Sequence, residues 1–282
     1  MAAVPVLAPA LLAAQIPALT NITFVTGGGQ KSVYQATHAP HGFVALKVFG
    51  DLADPQRSQR EIDAVKNIAC AHVPQIYETG VITGGPKPYM WLIEEWLMGD
   101  TLRSRLATGA QTDAVILLVA REVLFVLSEA EKKHIVHRDV KPENILLATN
   151  NSKCWLLDFG ISRHLDLTTI TAAGGLGPCT PGYAPPEQIQ NYKDKLDGRA
   201  DLFALGVTLY ECLMGVNPYT EGTVDPGERM RRTLARDLPR PTREIDASGQ
   251  FSGLVKVMSS RRRSLRPRTA MKAYDWLRTI GP

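Results

Sequence analysis

The chain has 282 residues, 44% of them hydrophobic and 21% charged, a globular composition with apolar material for one large domain or two small lobes. Its formal charge of +4 is uneven: positions 227–282 hold fourteen Lys and Arg against five Asp and Glu, so the remainder is mildly acidic. The arginines there are interspersed with Leu, Val, Met and Trp, which reads as a solvated face on core helices rather than a surface for an acidic partner, and no nucleic acid is expected. Cys70, Cys154, Cys179 and Cys212 show no C-x-x-C spacing and no matching His cluster, which argues against a zinc site and a disulfide framework and for a reducing compartment.

Residues 1–19 form an apolar arm. It lacks a basic start and is interrupted by Pro5, Pro9 and Pro17, so neither a signal peptide nor a membrane span fits. It is expected to pack on the first strands or to fray, and it is one candidate surface for self-association. Three β-rich runs follow at 22–25, 32–37 and 43–48, the last two separated by the turn residues His38, Ala39, Pro40, His41 and Gly42. Residues 54–68 read as a helix with Asp54 as N-cap and Pro55 at the first position, carrying Ile62, Val65 and Ile68 on one face. Runs at 75–81 and 90–96 complete five strands.

After Gly99 helical periodicity takes over. From 112 to 134 the residues Val115, Ile116, Val119, Val123, Val126 and Leu127 recur at helical spacing behind a Thr-Asp start. Further helices are expected around 201–214, 227–236 and 269–280, and no internal repeat appears. The fold class is therefore α+β and bilobal. A lobe of five antiparallel strands with one helix spans 20–97, and a larger α-helical lobe spans 98–282.

Between the helical halves lie HIVHRDVKPENILL, at 134–147, and WLLDFGISR, at 155–163. With VALKV upstream and PPE downstream, in this order, the chain resembles the protein kinase family over residues 22–280. Lys141, two residues past Asp139, resembles the serine/threonine branch, and GGGQKSVY resembles its bacterial members. The chemistry implied is transfer of the ATP γ-phosphoryl group to Ser or Thr hydroxyls of proteins. That reaction needs placed cations, metal-holding carboxylates and an oriented hydroxyl more than covalent catalysis. By the resemblance Asp139 orients the hydroxyl or accepts its proton, and Lys141 faces the transferred phosphate. Asn144 and Asp158 hold Mg2+, with Mn2+ an acceptable substitute, and Lys47 meets the α- and β-phosphates with Glu61 as its partner. His137 braces the loop. Asp201 anchors it, Thr180 bonds toward Asp139 and Lys141, and Glu187 pairs with Arg266. Arg138 reads a phosphate on the activation loop, for which Thr168, Thr169 and Thr171 are the autophosphorylation candidates.

The stretch TGGGQKSVY departs from the family pattern G-x-G-x-x-G-x-V: Thr26, Gly28 and Lys31 fall on the three glycine positions. The run Gly27, Gly28, Gly29, ahead of Val33, still supplies close backbone N–H groups and tolerance of positive φ. Lys31 either adds charge near the β- and γ-phosphates or points to solvent. The resemblance makes Glu95 and Leu97 the backbone contacts of adenine and puts Glu94 at the guard of the back pocket, where a carboxylate is unusual. Glu94 either pairs with a cation or restricts the space behind the adenine. Cys179 replaces a customary glycine before Thr180. The expected protein is a cytoplasmic kinase acting on protein substrates, with no membrane partner and with the arm or the activation loop as candidate homodimer surfaces. The competing readings are a nucleotide-binding docking module without activity, disfavoured by the full catalytic set, and a small-molecule phosphotransferase, disfavoured by the segment from Tyr183 to Glu187.

Overall fold

The computed structural model describes residues 6–28, 31–51, 62–63, 65–66, 68, 70–83, 88–159 and 179–280. Strands β1 (Leu19–Gly27), β2 (Lys31–His38), β3 (Gly42–Asp51), β4 (Ile76–Ile82) and β5 (Tyr89–Glu95) form one antiparallel sheet in the order β1-β2-β3-β5-β4. The five strands are the expected ones, but β1 and β3 run past their apolar runs. Pairing of Leu19 with His38 and of Thr20 with Thr37 extends β1 through polar residues, because a strand ends where its ladder partner ends.

The pleat separates two faces. In β2, Ser32, Tyr34, Ala36 and His38 are buried on one side while Lys31, Val33, Gln35 and Thr37 are half-buried on the other. The first side is covered by the N-terminal arm, whose helix α1 (Pro9–Gln15) brings Leu7, Leu12 and Ile16 against Tyr34, Val44 and Leu46. The Leu7 N–H donates to Tyr34 Oη at 2.7 Å, and that hydroxyl returns a bond to the Leu7 carbonyl at 3.1 Å. Residues 6–19 of the arm thus pack rather than fray. Leu12 is fully buried there, and Leu12→Ala is expected to cost about 2–5 kcal/mol through lost transfer energy and a cavity. A thermal melt coincident with that of the wild type would show that the arm adds no stability.

The opposite side packs Phe49, Met90 and Leu92 against Ile62. Ile62, Asp63, Val65 and Lys66 are helical, with Ile62, Val65 and Ile68 buried and Asp63 and Lys66 exposed, as their spacing implies. Asp54, Pro55 and Glu61, at the start of the expected helix, lie outside the described residues.

The second lobe is helical around a three-stranded sheet of β6 (Gly99–Thr101), β7 (Ile145–Ala148) and β8 (Cys154–Leu156). Its helices are α2 (Leu102–Leu106), α3 (Asp113–Lys132), α4 (Pro186–Ile189), α5 (Arg199–Met214), α6 (Pro226–Ala235), α7 (Gln250–Met258) and α8 (Ala270–Thr279). Thr112 caps α3 by accepting the Val115 N–H, as its sequence suggests. Helix α5 is buried nearly all round and is the core element against which α3 and α7 pack. No helix among the described residues is long and apolar enough to cross a membrane.

Candidate active site

The first turn of α5 holds the loop that precedes β7. Asp201, buried, accepts the backbone N–H of His137 and of Arg138, each at 2.7 Å. These two bonds hold Arg138 at φ 64, a left-handed conformation that a non-glycine residue keeps only when its surroundings impose it. His137 ties the loop to the next segment: its Nε2–H donates to the Leu157 carbonyl at 2.9 Å and its Nδ1 accepts the Asp139 N–H at 3.2 Å, while its ring lies 4.6 Å from that of Phe159. Burial pushes the Asp201 carboxyl up to about 7 against the pull of its two N–H donors. A carboxyl raised by folding adds stability that is fully present below about pH 4 and is lost progressively as pH passes about 7. Asp201→Asn is expected to flatten that part of the stability profile and to cost roughly 1–3 kcal/mol at neutral pH, because an amide offers one acceptor to two N–H donors. Urea titrations of both proteins at pH 5 and pH 8 check this, and parallel profiles would remove Asp201 as the titrating anchor.

The same loop presents Asp139. Its Oδ1 accepts the Thr180 hydroxyl at 2.7 Å, and its Oδ2 lies 2.9 Å from Lys141 Nζ and accepts Asn144 Nδ2 at 3.1 Å. Lys141 Nζ also donates to Thr180 Oγ1 at 3.1 Å, so four side chains from two segments form one polar platform. Asn144 gives a second bond from Nδ2 to the Asp139 carbonyl at 2.8 Å, which turns its Oδ1 away from Asp139.

Across the cleft stands the sheet. In register, Val33 pairs with Lys47, Lys47 with Leu92 and Ala45 with Glu94, so these side chains share the cleft face, and so does Lys31, two residues before Val33. Lys47 Nζ lies 2.7 Å from Asp158 Oδ1 and also pairs with Glu94, while Lys31 pairs with Asp158 Oδ2. Burial alone would lower the Lys47 pKa, but Asp158 and Glu94 together outweigh it and hold the ammonium charged. For Asp158 burial is likewise overcome, by Lys31 and Lys47, and its carboxyl sits well below the usual range. Burial lowers Lys31 and raises Glu94. Asp158 has φ 59, a second left-handed residue at the point where charge is concentrated.

The cleft between sheet and platform has a volume of about 720 Å³ and reaches from Gly27, Gly28 and Val33 past Lys47 to Asp139 and Asn144. Glu95 and Leu97 line its rear edge. The Glu95 N–H is bonded to the Gln75 carbonyl at 2.9 Å, so of the backbone groups of Glu95 the carbonyl alone could serve a ligand. Glu94 meets both alternatives posed for it: it pairs with Lys47, and the space behind it is about 20 Å³. The Gly28 N–H donates to the Lys31 carbonyl at 2.9 Å and closes the loop between β1 and β2. Neither Gly27 nor Gly28 has positive φ, so their use lies in the space a side chain would fill rather than in backbone freedom. Gly29, Glu61 and the threonines Thr168, Thr169 and Thr171 lie outside the described residues.

The oxygen donors fit a hard divalent cation. Asp158 and Asn144 line one cleft, and Asn144 Oδ1 is the oxygen not engaged with Asp139. Among the described residues no three His, Cys, Asp or Glu side chains converge into a preformed metal cage.

Residue-type patterns missed a support beneath the platform. Arg103 of α2 pairs with Glu211 of α5 at 2.7 Å and with Glu143 at 2.7 Å, and Arg103 and Glu211 both bond the Tyr183 hydroxyl. Gly182, next to Tyr183, has φ 94, and a Cβ there would lie 2.4 Å from Thr220 Cγ2. No local signal marks Arg103 or Glu211, whose partners are 28 to 108 residues away.

Comparison with known proteins agrees with this geometry. The protein kinase domain family matches residues 21–276. The serine/threonine-protein kinase PknL of Mycobacterium tuberculosis is 33% identical over 246 residues, 84% of this chain and 59% of the relative. A probable serine/threonine-protein kinase of Bifidobacterium longum, pknA2, is 33% identical over 270 residues, 91% of this chain and 34% of the relative. The serine/threonine-protein kinase Pkn1 of Myxococcus xanthus is 35% identical over 205 residues, 69% of this chain and 28% of the relative. The chain spans about three-fifths or less of these relatives. With the cleft, the Asp139 platform and the kinase motifs in one frame, the chain belongs to the protein kinase family, among the bacterial-type serine/threonine kinases.

Proposed function

We propose that the protein transfers the γ-phosphoryl group of ATP to serine or threonine hydroxyls of protein substrates, with Mg2+ or Mn2+ as the metal. The observation that carries this reading is Asp139, held by Thr180 and Lys141 and lining, together with Asp158, one cleft of nucleotide size. The adenine would lie between Val33 and the edge formed by Glu95 and Leu97, with Gly27, Gly28 and Gly29 over the phosphates. A hydroxyl docked on the Thr180 segment would reach Asp139, which orients it and takes its proton, while Lys141 offsets charge on the phosphoryl oxygens. Lys47 holds the α- and β-phosphates, with Glu61 as its ion-pair partner. A metal at Asp158 and Asn144 would screen the phosphate charge and fix the line of attack. Self-phosphorylation at Thr168, Thr169 or Thr171, a cytoplasmic setting, and pairing of two copies through the arm or activation loop belong to the same reading; neither a membrane nor nucleic acid has a part in it. Incubating the protein with ATP, Mg2+ and a generic basic protein, followed by phosphosite mapping, tests it. Phosphoserine or phosphothreonine in either protein is the expected result, and nucleotide binding without transfer would favour a docking module.

A further inference from the structure

Two departures from the family pattern meet at one place in the cleft. Glu94, on β5, reaches across to Lys47, so the lysine assigned to the phosphates already carries a carboxylate partner besides Asp158. Lys47 with Glu94 and Asp158 sums to one negative charge on the wall that a polyphosphate must approach. Lys31 cancels it: from the start of β2, on the face shared with Val33 and Lys47, it reaches the other oxygen of Asp158. A glycine at that position would contribute no charge, and a lysine one residue later, at the position of Ser32, would point to the opposite face.

Resting on the kinase reading, we propose that Lys31 is a second phosphate-binding lysine, made necessary by Glu94, so that the nucleotide phosphates are held between Lys31 at the front and Lys47 at the rear. Glu94 keeps Lys47 fixed at the back of the cleft from within the sheet itself, through the register that places it opposite Ala45, two residues from Lys47. Lys31 has more freedom: its side chain is 24% exposed against 6% for Lys47. It is therefore the ammonium with the freedom to turn from Asp158 toward an incoming phosphate. The two unusual residues compensate each other in charge, and the proposal predicts that their effects on phosphate binding are coupled.

The test is calorimetric binding of ADP and of adenosine in EDTA, which reads the phosphate contribution without metal or turnover, for the wild type, Lys31→Met, Glu94→Gln and the double variant. The wild type is expected to bind ADP more tightly than adenosine. Lys31→Met should lose about 10- to 100-fold in ADP affinity, the range for one charge-assisted hydrogen bond, with adenosine affinity unchanged. Adding Glu94→Gln should restore most of that loss, because the cleft wall regains neutrality. Unchanged ADP affinity in Lys31→Met, an equal loss for adenosine, or no recovery in the double variant overturns the proposal. A wild type that binds ADP no better than adenosine instead removes the nucleotide reading beneath it. Lys31→Arg, which keeps the charge, should stay close to the wild type, and a thermal melt of each variant separates loss of fold from loss of contact.

Discussion

Asp139→Asn is expected to lower the turnover number for phosphoryl transfer by about 10²- to 10⁴-fold, the range for loss of a positioned acid–base group. The substitution changes charge with little change of shape. Asp139 Oδ1 accepts from Thr180, whose hydroxyl can rotate to accept an amide N–H instead, so the platform keeps its contacts on that side. The other oxygen stays with Lys141 and Asn144. What disappears is the negative charge that orients the attacking hydroxyl and receives its proton, together with the ion pair to Lys141. Because Lys47, Asp158 and the cleft floor are untouched, ADP affinity and the melting temperature should match the wild type. Single-turnover kinetics combined with ADP calorimetry separate the steps. A rate within tenfold of the wild type would take the role away from Asp139, and a parallel loss of ADP affinity would mean that the loop had moved.

The five strands were readable because β-branched and aromatic residues cluster between turn residues, and α3, α6 and α8 because their apolar positions follow the helical period behind the caps Thr112, Asp225 and Thr269, whereas α5, buried nearly all round and begun at Gly198 without a side-chain cap, reads as a long apolar run. The three-residue strands β6 and β8 carry no period long enough to detect, and α7 is short and holds a glycine, Gly253, within it. Motif order was enough to name the residues of the platform, since those of the loop lie within six positions and Thr180 enters through its own motif. Lys31 is more instructive. Its direction was undecided from sequence although the parity with Val33 was available, because parity settles a face only once the register of β2 on β3 is known. The pairing of Val33 with Lys47 supplies that register, and the cleft-side choice for Lys31 follows at once. Glu94 was likewise open between pairing and obstruction, and the structure assigns it both. Arg103 and Glu211 left no local trace at all, since their association with Tyr183 depends on how α2, the Thr180 segment and α5 are brought together by the core.

The second large effect is expected at Arg266. Its guanidinium is fully buried and makes a bidentate pair with Glu187, at 2.6 and 3.1 Å, while also donating to the carbonyls of Ser260 at 2.7 Å and Arg199 at 2.9 Å and lying 4.9 Å from the Phe203 ring centre. The pair joins α4, directly after the Tyr183 segment, to the region before α8, and so fixes the substrate side of the platform to the core. Arg266→Met leaves Glu187 as a buried carboxylate with its partner removed, a change that costs about 3–5 kcal/mol. Lysine is no substitute, because a single ammonium cannot span both carboxylate oxygens and the two carbonyls. The sign of the test lies in the double variant: Arg266→Met with Glu187→Met removes both desolvated charges, so it should be more stable than Arg266→Met alone and recover a large part of the loss. Urea denaturation of the wild type and the two variants reads this directly. If the double variant were no more stable than Arg266→Met, the cost would lie in the carbonyls of Ser260 and Arg199 left without a donor rather than in the stranded carboxylate.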